Sequence, residues 1–114
     1  MAIKATMIDY LEAGLRGASM RQATIANNIA NLGTPGYRRV AASFEARLAK
    51  AMANGDKVDF AELAKDVMNP KNTPVAANGN DVILEMEIGE MVKNIGMQKT
   101  YLRLLAKKYQ GMEA

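Results

Sequence analysis

Two stretches at opposite ends of the chain repeat apolar residues in alternating steps of three and four. The first runs Ile8, Leu11, Leu15, Ala18, Gln22, Ile25, Ile29, Leu32; the second runs Leu84, Ile88, Met91, Ile95, Gln98, Leu102, Leu105, Tyr109, Met112. Among regular structures only a helix has that period. At 1.5 Å per residue the two helices would be roughly 38 and 44 Å long. The second is also polarised: Asp81, Glu85, Glu87 and Glu90 stand near its start, Lys99, Arg103, Lys107 and Lys108 near its end. That order suits the helix dipole. The expected fold is all-α, with two long terminal heptad helices closing as an antiparallel coiled-coil hairpin. A short middle region with one or two small helices and an extended loop joins them.

Each seam contains one glutamine. An antiparallel register that opposes Ile8 with Met112, Leu15 with Leu105 and Ile29 with Met91 also opposes Gln22 with Gln98. Two amides in one layer can satisfy each other, and a slip of one heptad would strand both against hydrocarbon. The alternative is that each glutamine lies at a seam edge and reaches water. The expected assembly seam is Leu11, Leu15, Gln22, Ile25 and Ile29 against Met91, Ile95, Gln98, Leu102 and Leu105.

Residues 1–114 read as one domain, with an N-terminal helix over 1–33, a middle over 34–80 and a C-terminal helix over 81–114. Thr34-Pro35-Gly36 places Pro and Gly where a type II turn wants them and ends the first helix. Phe44, Leu48 and Met52 predict a short amphipathic helix stopped at Asn54-Gly55. Asp59 and Glu62 read as a capping box opening a second short helix. That helix would carry Phe60, Leu63, Ala64, Val67 and Met68 on one face, up to Asn69-Pro70. Asn78-Gly79 predicts a tight turn.

The chemistry is defined largely by what is missing. There is no Cys and no His, so a disulfide framework, a thiolate zinc site, a cysteine nucleophile and a histidine base are all excluded. Ser19 and Ser43 cannot form a serine triad without His. Lys99-Thr100 follows Gln98, where a phosphate loop needs Gly. Asn78, Asn80 and Asp81 lack the acidic series of a calcium loop and read as a turn before a helix. No catalytic, cofactor or metal site is expected. A net charge of +3 forces no polyanionic partner, and Arg38-Arg39 and Lys107-Lys108 read as solvated faces. No stretch approaches the ~20 apolar residues of a membrane span, or the roughly 7–15 of a signal-peptide core.

The outward faces carry another message. Met20, Met86 and Met97 fall at outer heptad positions, as do Gly17, Gly89 and Gly96. A mid-helix Gly costs about 1 kcal/mol relative to Ala, so several outward ones suggest close approach by neighbouring helices. The Asn-rich run before the first turn is a poor helix former, and its amides could bond to other subunits or to the following loop.

Ala26-Asn27-Asn28-Ile29-Ala30-Asn31, followed by Thr34-Pro35-Gly36-Tyr37-Arg38-Arg39, resembles the N-terminal signature of bacterial flagellar rod and hook proteins. The chain is too short for the large β-domains of distal-rod and hook relatives. Asn78-Gly79-Asn80-Asp81-Val82 with Glu85-Met86-Glu87 and Asn94 resembles the C-terminal pattern of proximal-rod subunits. The resemblance implies a structural subunit of the basal-body rod, the motor drive shaft that spans the periplasm. It would be exported by the flagellar type III apparatus without a cleaved signal peptide. Implied partners are other flagellar rod proteins, inner-membrane ring and rod-adaptor proteins, and the type III export gate, in homo- and hetero-oligomers. Neither nucleic acid nor direct membrane insertion is implied. Phe44 and Leu48 match the family's export-gate motif, and equally suit a small helix docking its apolar face. A second reading is a soluble helical-hairpin export chaperone or adaptor; a third is a basic helical protein on nucleic acid, whose affinity would fall steeply with salt.

Overall fold

The computed structural model describes residues 4–113. Residues 1–3 and 114, at the ends of the expected terminal helices, lie outside the described residues. The side chain of Met112 does too, and with it the expected contact to Ile8.

Helix α1 spans Met7–Ala30. Thr6 opens it with a reciprocal cap: its hydroxyl accepts the Asp9 N–H, and the Asp9 carboxylate accepts the Thr6 N–H at 2.8 Å. The helix ends within the asparagine run, where the Asn31 amide returns to the Asn27 carbonyl at 2.8 Å. The turn that follows has Gly36 at φ 76°, with the Tyr37 N–H bonded to the Thr34 carbonyl. A side chain is rarely tolerated at that φ, which is why glycine follows proline here.

The middle is built from β1 (Ala41–Ala42), α2 (Glu45–Asn54), a 3-10 helix (Phe60–Asp66) and β2 (Val67–Met68). Helix α2 stops at Gly55 in the left-handed region, φ 72°. Strands β1 and β2 pair antiparallel with Ala41 opposite Met68. Here the structure departs from expectation. Asp59 caps the Ala61 N–H, without a reciprocal bond from Glu62, and the segment it opens is 3-10. Val67 and Met68 leave the helix to pair with β1. The run is closed by Asn69-Pro70, and the open backbone of residues 41–43 offers its last residues a ladder instead.

Helix α3 spans Leu84–Glu113 and packs along α1 in the opposite direction. The two give the molecule its length, 58 × 29 × 17 Å. The middle elements lie against one side of this hairpin. Phe44 is fully buried with Ala18 and Leu63, flanked by Met20, Leu48, Met97 and Tyr101. Phe44 reaches α1 over Gly17, and Tyr101 reaches it over Gly14; a Cβ at either glycine would overlap the ring. This corrects the outward reading of Gly17, Met20 and Met97. The element that approaches Gly17 is the same chain's own middle segment. Gly89 and Gly96 do face open space.

Candidate assembly site

The signature residues close a buried polar latch between the end of α1, the loop after it and the start of α3. Asn28 is fully buried, and every hydrogen-bonding position on its amide is used. Its Oδ1 accepts from the Tyr37 hydroxyl at 2.9 Å and the Val40 N–H at 2.9 Å; its Nδ2 donates to the Val40 carbonyl at 2.8 Å and to Glu87 at 3.1 Å. Glu87, also buried, takes the Arg39 Nε on its other oxygen at 2.7 Å. Asp81 accepts the Arg39 backbone N–H and the Arg38 Nε. Asn80 donates to the carbonyls of Asn31 and Thr34 at 2.8 and 2.9 Å. The Arg39–Glu87 pair and the Asp81 carboxylate are thus held away from water by directional hydrogen bonds, the condition under which burying charge is tolerable.

The latch shapes local electrostatics. Burial pushes the Asp81 carboxyl up, but the Arg39 N–H and the Arg38 guanidinium outweigh it and hold the group below its ordinary 3.8. The Tyr37 hydroxyl is pushed above its ordinary 10.0, by burial first and by the Glu87 and Asp81 charges second.

Along the helices, the register differs from the expected one by about a turn. Gln22 does not meet Gln98. Its side-chain oxygen accepts from Asn94 Nδ2 at 2.9 Å, while Gln98 reaches the Ser19 hydroxyl at 3.4 Å. Asn94 also donates to the Ala18 carbonyl at 2.7 Å, and Tyr109 to Glu12 at 2.7 Å. The α3 row turned toward α1 is therefore Glu87, Met91, Asn94, Gln98, Tyr101 and Leu105. Of the expected seam, Leu11, Ile25 and Leu105 are buried, and Leu15, Gln22, Ile29, Met91 and Gln98 are half-buried. Ile95 and Leu102 are not in this seam. The polar row wins because Asn28 and Arg39 pair with Glu87, because Gln22 and the Ala18 carbonyl take the Asn94 Nδ2 (its Oδ1 is buried without a partner), and because Tyr101 fits over Gly14.

A second heptad row on α3 is left uncovered. Ile88, Val92, Ile95 and Leu102 are 48, 65, 38 and 53 % exposed, with Lys99 and Ala106 at the same spacing, while Tyr109, next in the row, turns its hydroxyl back to Glu12 of α1. This row is the inner row shifted by one residue, and so turned about 100° around the helix. The sequence showed both rows superimposed and could not separate them.

Of the remaining signature residues, Ala26, Asn27, Thr34, Pro35 and Gly36 are exposed, and Asn31 and Tyr37 are half-buried. The expected export-gate pair lies in the core: Phe44 is fully buried and Leu48 half-buried. Among the described residues no group of three metal-ligating side chains comes together, and no helix is long and apolar enough to cross a membrane.

Latch and helices together define a class of protein: a helical hairpin whose loops are locked internally while one long, largely apolar row stays exposed. The family model described as "Flagella basal body rod protein" matches residues 8–38, the stretch that carries Asn28 and Tyr37. The flagellar basal body rod protein FlgB of Borreliella burgdorferi (strain ATCC 35210 / DSM 4680 / CIP 102532 / B31) is 31% identical over 105 residues, covering 76% of this chain and 78% of its own. That of Bacillus subtilis (strain 168) is 30% identical over 103 residues, covering 82% and 80%. The chain belongs to the flagellar basal body rod protein family, on its FlgB branch.

Proposed function

We propose that this chain is a structural subunit of the proximal part of the flagellar rod, joining neighbouring rod subunits through its terminal helices. The observation that carries the reading is the exposed α3 row. Ile88, Val92, Ile95 and Leu102 expose large apolar side chains along one face of α3, broken once by Lys99, and exposed apolar surface of this kind marks an association surface. Family membership supplies the assembly. The latch supplies stiffness, since it fixes the end of α1 against the start of α3 through buried, directional bonds. The role is mechanical and requires no catalytic group.

We place the subunit in the basal body among other rod proteins, the inner-membrane ring and the rod adaptor. Export precedes folding in this reading. Phe44 and Leu48 would meet the type III gate on the unfolded chain and then enter the core. Leu11, Leu15, Gln22, Ile25, Ile29, Met91, Gln98 and Leu105 set the hairpin, and Ile95 and Leu102 meet neighbours.

Purified basal bodies test this. In a strain lacking the chain, rods should be absent and swimming lost, and a tagged copy should restore both and co-purify with basal bodies. Normal rods and swimming without the chain would overturn the proposal.

A further inference from the structure

We infer that the cleft enclosed by α1, β1 and α3 is a binding site for a primary carboxamide, the group an asparagine or glutamine side chain carries. The site lies apart from the exposed α3 row and does not depend on the rod reading. The cleft has a volume of about 310 Å³, against the roughly 30 Å³ share of one water. Ile25, Val40 and Met97 give it apolar walls, and Asn94 stands in its lining. Asn94 is 1 % exposed, and its Nδ2 is turned into the helix seam by the Ala18 carbonyl and Gln22, neither of which lines the cleft. Its Oδ1 is left on the cleft side, buried and without a hydrogen-bond partner. An acceptor so placed costs its full desolvation until a donor reaches it.

The matching donor comes from β1. The Ser43 N–H bonds to the Asp66 carbonyl, which puts Ala42, paired with Val67, at the position whose backbone groups point away from β2. The Ala42 carbonyl accordingly accepts the Arg21 Nε at 2.9 Å. The Ala42 N–H points to the same side, and among the described residues no acceptor takes it. Arg21 Nη1 meets the Met97 sulfur at 3.7 Å, a weak acceptor. The charges around the cleft are matched inside the chain: Arg21 with Glu45, Arg39 with Glu87, Lys93 with Glu90. An entering cation or anion would meet a like charge as well as an opposite one. What stays unmatched is one neutral acceptor and one neutral donor. A primary carboxamide complements both, its NH2 toward Asn94 Oδ1 and its oxygen toward the Ala42 N–H and Arg21 Nη1. Because Asn94 is so deeply buried, the group must enter end-on, its apolar stem along Ile25, Val40 and Met97.

Butyramide, butyrate and butylammonium share a stem and differ in the head. In amide NMR spectra of the full chain, butyramide should shift the Ala42 N–H and the Asn94 side-chain signals saturably, at least about tenfold more tightly than either charged isostere. N-acetylglutamine methylamide against free glutamine then reads the source. Tighter binding of the capped residue assigns a protein side chain, tighter binding of free glutamine assigns the amino acid, and both results support the carboxamide site. Ala42→Pro deletes the donor without touching the β1–β2 ladder, and Asn94→Leu deletes the acceptor. Each, with helicity retained, should weaken butyramide at least about tenfold. Equal binding of the three heads, tighter binding of a charged head, no saturable shift of these signals, or binding unchanged in either folded variant overturns the inference. The isostere series needs no variant to fold. It uses the purified chain alone, so its failure leaves the rod reading standing, and normal rods without the chain would leave the cleft standing.

Discussion

Arg39 Nε and Glu87 Oε1 meet at 2.7 Å, both side chains at least 95 % buried, across 48 residues of sequence. Removing one partner leaves the other charged and dry. Arg39→Met should therefore cost about 3–5 kcal/mol, while Arg39→Met with Glu87→Met should recover most of the loss. Urea denaturation of the three chains measures this. A double variant no more stable than the single would show that the pair itself, rather than its desolvation, holds the latch.

Asn28 and Asn27 are adjacent in the signature and should behave oppositely. Asn28→Ala leaves the Val40 N–H and the Tyr37 hydroxyl without their acceptor, and should cost about 2–3 kcal/mol. Asn27→Ala changes an exposed side chain and should stay within about 0.5 kcal/mol. Thermal unfolding followed by circular dichroism separates the two.

The glycines divide the same way. Gly14→Ala and Gly17→Ala push a methyl into the rings of Tyr101 and Phe44 and should lower the melting temperature. Gly89→Ala and Gly96→Ala meet nothing and should stabilise the free chain by up to about 1 kcal/mol each. Calorimetry of the four variants decides it.

Acid and alkali should loosen the latch from different ends. The folded Asp81 carboxyl lies below 3.8, so its contribution is present above that pH and is lost as pH falls through the folded value. The folded Tyr37 hydroxyl lies above 10.0, so its contribution is present below that pH and is lost as pH rises through the folded value. Asp81→Asn should flatten the acid limb of stability against pH, and Tyr37→Phe the alkaline limb. An unchanged profile in either variant would refute that assignment.

The two helices were legible because a period of three and four over so many residues has no other regular solution. The turns at Gly36, Gly55 and Gly79 were equally legible, since each glycine has positive φ. The register was not. On α3, Ile88, Ile95 and Leu102 outrank Glu87, Asn94 and Tyr101 in hydropathy, so a reading by apolar periodicity mixes outer-row Ile95 and Leu102 with inner-row Met91, Gln98 and Leu105. What separates the rows is non-local: partners for Glu87 and Asn94 at Arg39, Asn28 and the Ala18 carbonyl, and a gap for Tyr101 at Gly14. Signals were present in hindsight, in two α1 glycines three residues apart and in an asparagine run too polar for a plain seam. Arg39, Asp81 and Glu87 carried none beyond the resemblance, because a buried charge looks like a solvated one until its partner is known.

The central claim is that α3 has two faces with different occupants: an inner polar one for its own α1 and an outer apolar one for a neighbour. Thiol labelling of single cysteines at positions 95 and 102 against 94 and 105, in the dilute chain and in isolated basal bodies, tests it most directly. Positions 95 and 102 should react fast in the dilute chain and become protected in the basal body, with 94 and 105 slow in both. Protection of 95 and 102 in the dilute monomer, or their free reaction in the assembled rod, would contradict it.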